Sequence, residues 1–385
     1  MTLRVAIVAD ERQLADEHAQ HVRTCLGLRG EGAAVIRIVP ASFDAHRSDP
    51  RERALAALAR VDFEPHVPPW LRGWRRARLL AALERTPPDV ILVAGAEAWK
   101  MAVELGRELE CQVVLDVASL DDALRTARRR VDAADGTIAG CIVRSAPLTE
   151  LVGSRLGPSV AHIPSAAVAA PRRGCAADPD RRRFIVVLGA GDDLRSSLPC
   201  FEAFRQLAKT QPKDRAAPLA FVELRGARAH ELWQSVRSMD LLPRVCTVEN
   251  ASAVSEFIAG CDLLVVPERS GAVRGVLLDA MAAGVPVVAL RDERVDSLRA
   301  EVTAAMLEES TADGWLERMS ALLDDEPEAR RLGASAAACM ARSHSPERSA
   351  AMLHALLRGV VADETIDFAA PSGSGAQLGP SSQGR

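Results

Sequence analysis

The run "CDLLVVPERSGAVRGVLLDAMAAGVPVVAL" (residues 261–290) carries more chemistry than any other stretch of this chain. Its pattern predicts a buried strand, a loop, a helix beginning near Val273, a Gly284-Val285-Pro286 turn and a second buried strand. A doubly wound sheet presents a helix N-terminus to an anion in this way, because the first-turn N–H groups have no partner inside the helix. Around that helix start stand Glu268 at the strand end, Arg274 in the expected first turn and Asp279 farther along. An arginine there suits phosphate, and a carboxylate with two acceptor oxygens suits a ribose diol. A second cation, Arg195, follows the strand "FIVVLGAG" in a loop that should open on the same side, where ligands bind in such sheets. Each residue has a plainer alternative. Asp279 would then be a solvent-facing helix residue beside the apolar face of Val276, Leu277, Ala280 and Met281, Arg195 a surface residue after a turn, and Glu268 a loop carboxylate without a ligand.

Other reactive types give weaker signals. His18 and His21 fall on the first helix and His162 closes a strand; without a placed partner each reads as a structural or surface histidine. The eight cysteines lie far apart with no C-x-x-C pair, which implies reduced core residues and no metal site. "WLRGWRRAR" (residues 70–78) interleaves indoles with arginines. That pattern fits either an anionic membrane surface or an amphipathic helix with core tryptophans and snorkelling arginines, and the second reading is preferred. "RTARRR" (residues 125–130) reads as a solvated helix end.

The elements that must hold these residues follow from the alternation of apolar runs and helical patterns. "LRVAIVAD", a helix from Leu14 to about Gly30, and "AAVIRIVP" open the chain as a βαβ unit, and "PDVILVAGA", "CQVVLDV" and "GTIAGCIVR" continue it. Residues 42–88 are rich in Arg and Pro and harder to place, although "RARLLAALERT" reads as a helix. A second alternation begins after a linker-like stretch: "FIVVLGAG", "APLAFVELRG", "RVCTVEN", "CDLLVVPE" and "GVPVVAL". The predicted fold class is α/β, with two doubly wound Rossmann-like domains facing a cleft. The expected boundaries are a first domain at 1–165, a linker at 166–183, a second domain at 184–345, a C-terminal helix at 346–361 that packs back on the first domain, and a disordered tail at 362–385.

Bulk properties narrow the function. The 385 residues, 48% of them apolar, suffice for two cores, and a net charge of −4 argues against a nucleic-acid partner. No apolar run approaches a membrane span, and the N-terminus lacks a secretory pattern, so a cytoplasmic protein, at most membrane-peripheral, is expected.

"LLDAMAAGVPVVA" resembles "LLEAMACGVPVVA", a signature of the retaining family 4 glycosyltransferases of the two-Rossmann (GT-B) type. "GAGDDLRSSLPCFEAF", "AFVELRGAR" and "AGCDLLVVP" echo the same family in the same order. The resemblance implies a nucleotide-sugar donor held by the second domain, a glycan or lipid-linked acceptor on the first, and no cofactor or metal. In the family an Arg and a Lys neutralise the departing diphosphate; the Lys position carries Arg195 and the Arg position Ala190. Of two family glutamates, the one on the ribose corresponds to Asp279 and the one on the donor sugar to Gly271. Glu268 stands near enough to substitute for the latter, and Arg274 can restore the lost positive charge. The Gly-Gly loop after the first strand is replaced by "DERQLADEHAQ", the histidines after the fourth and fifth strands are missing, and "IPNGVD" has become "IPSAAV".

Two readings follow. The leading one is a divergent sugar transferase using Glu268 and Arg195 in catalysis, with Arg195, Arg274, Asp279 and the Gly271 position around the donor. The other is a catalytically silent homologue that binds or scaffolds an active transferase. The first leads because loops in such folds carry substitutes.

Overall fold

The computed structural model describes residues 2–43, 50–128, 136–156, 160–169, 182–210, 217–248, 257–258 and 260–362. Most of the expected linker and tail therefore lies outside the described residues, as do the side chains of residues 125–130.

The first half runs β1 (Arg4–Ala9), α1 (Glu11–Gly30), β2 (Ala34–Pro40), α2 (Pro50–Leu55), β3 (Ala59–Phe63), α3 (Arg72–Leu83), β4 (Val90–Ala94), α4 (Trp99–Glu108), β5 (Gln112–Val117), α5 (Leu120–Arg128), β6 (Ile138–Val143), α6 (Ala146–Leu156) and β7 (Val160–His162). Its seven strands are all parallel, in the order β3-β2-β1-β4-β5-β6-β7. The second half contains β8 (Phe184–Ala190), α7 (Leu194–Thr210), β9 (Leu219–Leu224), α8 (Ala229–Ser238), β10 (Val245–Val248), β11 (Leu263–Val266), α9 (Gly275–Ala282), β12 (Val287–Leu290) and β13 (Ala305–Leu307). Its six strands are parallel too, ordered β10-β9-β8-β11-β12-β13. The helices α10 (Ala312–Asp324), α11 (Glu326–Ser343) and α12 (Pro346–Val361) close the described chain.

Unbroken apolar runs such as "VILVA" and "LLVV" become central strands because a parallel sheet is covered by helices on both faces. Each sheet accordingly separates two apolar clusters, one per face. α12 returns to the first half, where Leu353, Leu356, Leu357 and Val360 join Val5, Ile7, Val22 and Leu28.

Two strands escape the sequence pattern. β3 lies on a sheet edge with Arg60 and Asp62 among its residues, so it lacks an apolar run, and β13 is only three residues long. The tryptophans of 70–78 overturn the preferred reading of that stretch. Leu79 and Leu83 fill the core-facing stripe of α3, whereas Trp70 and Trp74 are 80% and 56% exposed. The helix after β11 begins at Gly275, two residues later than expected, because Arg274 keeps an extended backbone (φ −87°, ψ 128°) as its N-cap.

Candidate functional site

The carboxyl ends of the two sheets face each other across a cleft of about 700 Å³. It is lined by the segments that follow parallel strands and the first turns of the helices they lead into: after β1, β4 and β5 in one half, and after β8, β9, β11 and β12 in the other. Glu268 and Arg274 are brought together in its lining; Arg195, Asp279 and Gly271 are not part of it.

Glu268 sits on the N-terminus of α7. β11 pairs directly with β8, so the loop after β11 runs beside the loop after β8. The Glu268 carboxylate accepts from the backbone N–H of Gly191 (2.6 Å), Asp192 (3.1 Å) and Asp193 (3.0 Å), and from the Ser197 hydroxyl. Gly191 makes this turn possible, with φ at 128° and a position where any Cβ would lie 2.4 Å from the Arg225 carbonyl. Burial pushes the Glu268 carboxyl above its ordinary value, and the four donors pull it back. The result is an anion in the place where helix N-termini hold phosphates, supplied by the chain itself.

Arg274 is held as firmly. Its Nη1 and Nη2 donate to Glu223 at 2.7 and 2.9 Å, and its Nε donates to Glu17 at 3.2 Å. Glu17 belongs to the opposite half, at a break in α1 (φ −132°, ψ 33°), and its other oxygen accepts from Gly275 N–H at 2.8 Å, occupying the N-terminus of α9. Burial works against the Arg274 charge, but Glu223 and Glu17 outweigh it and raise its pKa. Burial raises Glu17 above the usual carboxylate range, while Arg274 acts to lower it.

Asp279 turns away from the cleft: it accepts from Arg23 of α1 at 2.5 Å and from Val168 N–H at 2.9 Å. Gly271 adopts φ 61°, donates its N–H to Asp292 at 2.7 Å and accepts at its carbonyl from Leu120 N–H at 3.2 Å. A Cβ there would stand 2.6 Å from that of Leu120, so a glutamate has no room. Arg195 is exposed at the first turn of α7; its backbone N–H bonds Asp193, and no described side chain pairs with its guanidinium.

In the first half, one oxygen of Asp10 caps α1 by accepting from Gln13 N–H (2.7 Å) and the other accepts from Glu97 N–H (3.0 Å). The histidines singled out in the sequence, His18, His21 and His162, lie off the cleft. His18 bonds Glu52 at 2.8 Å, and burial together with Arg37 pushes His21 down to about 3.

The described lining thus holds the carboxylates of Asp10, Asp16, Glu17, Glu97, Asp121, Asp122, Asp192, Glu268 and Asp292 against Arg12, Arg225 and Arg274. Arg225 is itself paired with Asp16 and Arg274 with two glutamates. A surface of this sign opposes a diphosphate. Sequence reasoning missed Glu17 and Glu223, although an acid at the end of the β9 run "AFVEL" is a legible anomaly in a buried parallel strand.

Residues 200–325 match the family model of the glycosyl transferases group 1. In fold, the chain is similar to a glycosyltransferase of Rickettsia africae, with TM-score 0.69 and 10% identity over 94% of this chain and 99% of that one. It is also similar to HepE of Anabaena in complex with UDP and glucose, with TM-score 0.71 and 12% identity over 92% and 99%. Sucrose-phosphate synthase of Thermosynechococcus elongatus gives TM-score 0.68 and 15% identity over 94% and 100%. No curated protein matches the chain in sequence. The chain is glycosyltransferase-like: it has the GT-B fold, and its second half carries the family's pattern.

Proposed function

We propose that this glycosyltransferase-like chain is a catalytically silent relative, which keeps the two-domain scaffold and serves as a binding or scaffolding partner of an active transferase. The observation that carries this reading is Glu268 on the N-terminus of α7, with both carboxylate oxygens engaged by backbone N–H groups and one also by Ser197. A donor diphosphate needs those same N–H groups, and it would have to displace a charged acceptor while entering a cleft of predominantly negative side chains. The vacated Arg position at Ala190 and the blocked Gly271 position act in the same direction.

A second reading, transfer of a sugar from a nucleotide-sugar to a glycan or lipid-linked acceptor, draws on Arg195, whose guanidinium stands exposed beside the same helix start. Under it Glu268 yields to the donor and Arg195 takes a phosphate oxygen. Titrating UDP and UDP-glucose into the whole chain, with a parallel assay for released glucose, separates the two. The silent reading expects no binding heat up to about 1 mM, equivalent to less than about 4 kcal/mol of affinity, and no turnover. Micromolar UDP binding, or glucose release lost in Arg195→Ala, would overturn it in favour of transfer.

A further inference from the structure

The one large apolar feature on the described surface that the cleft does not use lies at the start of α3. Trp70 is 80% exposed, Leu71 41% and Trp74 56%. Trp74 and Arg78 stand at i and i+4 on α3, one stripe over from the buried Leu79 and Leu83, with Trp70 in the 3-10 turn that leads into the helix, and the Arg78 guanidinium lies 5.7 Å from the Trp74 ring centroid. From Pro69 to Leu83 the chain carries Arg72, Arg75, Arg76 and Arg78 and no acid, in a protein of net charge −4. Beside it opens a hollow of about 560 Å³ whose lining includes Arg72, Arg75 and Lys100 together with Glu97 and Glu104.

We infer that this face docks the protein onto an anionic lipid bilayer, with Trp70, Leu71 and Trp74 at headgroup depth and the arginines on lipid phosphates. Leaving two indoles in water has no benefit to the fold, since α3 is already anchored by its leucines. Indoles favour the boundary between headgroups and acyl chains, and each arginine near a negatively charged leaflet adds attraction. Tryptophan and arginine mark protein interfaces as well, so the bilayer is favoured here by the uniform positive charge of residues 69–83, which complements an anionic leaflet. Glu97 lines both the hollow beside this face and the cleft, so docking sets the cleft's mouth next to the membrane. The inference rests on the exposed face alone and holds whether or not the cleft is catalytic.

The test is co-sedimentation of the whole chain with phosphatidylcholine vesicles containing about one third phosphatidylglycerol, against phosphatidylcholine alone. The protein should pellet with the anionic vesicles only, with a blue shift of tryptophan emission. Trp70→Ala with Trp74→Ala should abolish the shift and lower partitioning about tenfold, and Arg72→Gln and Arg76→Gln should each lower it about fivefold at low salt. Circular dichroism should show unaltered melting in all of them, since the four side chains are exposed. Absence of binding to anionic vesicles, or binding indifferent to the tryptophan pair, overturns the inference. Self-association removed by the same substitutions, without vesicle binding, would make this face a subunit contact and overturn it equally.

Discussion

Both halves of the molecule begin with a strand that hands the chain to a helix pointing its N-terminus at the cleft, and in both a carboxylate sits on that N-terminus. After β1 it is Asp10, three residues from the Gln13 amide it accepts from; after β8 it is Glu268, separated by 77 residues from Gly191. A cap so close in sequence needs only its own helix. One brought from another strand exists only once β11 has paired with β8, so it reports on the assembled sheet and stands where a ligand anion would. α9 extends the series, since its N-terminal amide is met by Glu17 from the opposite half. The more distant the donor of the carboxylate, the more the helix end belongs to the tertiary structure rather than to the helix.

The strongest test of that ordering is Arg274→Met. It leaves Glu17 without its cation and Glu223 with only Arg225, 3.6 Å away, and loss of one partner of a buried ion pair costs about 3 to 5 kcal/mol. Urea unfolding should show this as a lower midpoint. The pH dependence has a definite sign. Burial already holds Glu17 above the usual carboxylate range, and without Arg274 its folded-state pKa rises further. The native variant then keeps a proton that the unfolded chain has shed, so its stability falls as pH rises through that window and recovers toward acid. An unchanged midpoint would mean that water, not Arg274, satisfies the two glutamates.

How much of this was legible in the sequence follows the same distinction. The GT-B fold was, because parallel strands buried on both faces appear as apolar runs and helices as their periodic intervals; β3 and β13 were not, one for its charged edge position and the other for its length. Glu268 and Arg274 were legible as residues beside a helix start. Their partners were not, since Glu17 lies more than 250 residues from Arg274 and Glu223 on a different strand, and no local pattern encodes such pairings. Asp279 reads in the sequence as a ribose ligand, and the partner its carboxylate has in the structure, Arg23 of α1, is brought near only by the docking of the two halves.

A smaller effect is expected for Glu268→Ala. Glu268 itself lines the cleft, so water entering in its place can accept from the freed donors, and the loss should be that of one charge-assisted hydrogen bond, about 1.5 to 3 kcal/mol, well below the cost at Arg274. Glu268→Gln, which keeps one acceptor oxygen, should recover part of it. A loss as large as that at Arg274 would mean that the α7 N-terminus is closed to solvent, contrary to the place of Glu268 in the cleft lining.

Asp10→Ala should cost least, about 0.5 to 2 kcal/mol, the range for removing a helix N-cap. Asn should restore only part of it, because the Gln13 and Glu97 amides bond different oxygens of Asp10 and an amide side chain keeps a single acceptor. The two carboxylates then separate on a single measurement, the rise in melting temperature with added inorganic phosphate. A ligand that binds only the folded state stabilises it by an amount that grows with the logarithm of its concentration above Kd. The nest emptied by Glu268→Ala offers three backbone N–H groups and the Ser197 hydroxyl to an anion, and phosphate should recover much of the lost stability. The end of α1 emptied by Asp10→Ala lies beside Glu97 and Asp122 on the same wall of the cleft, and phosphate should do little there. Equal rescue of both variants would erase the difference between a helix cap and a filled anion site.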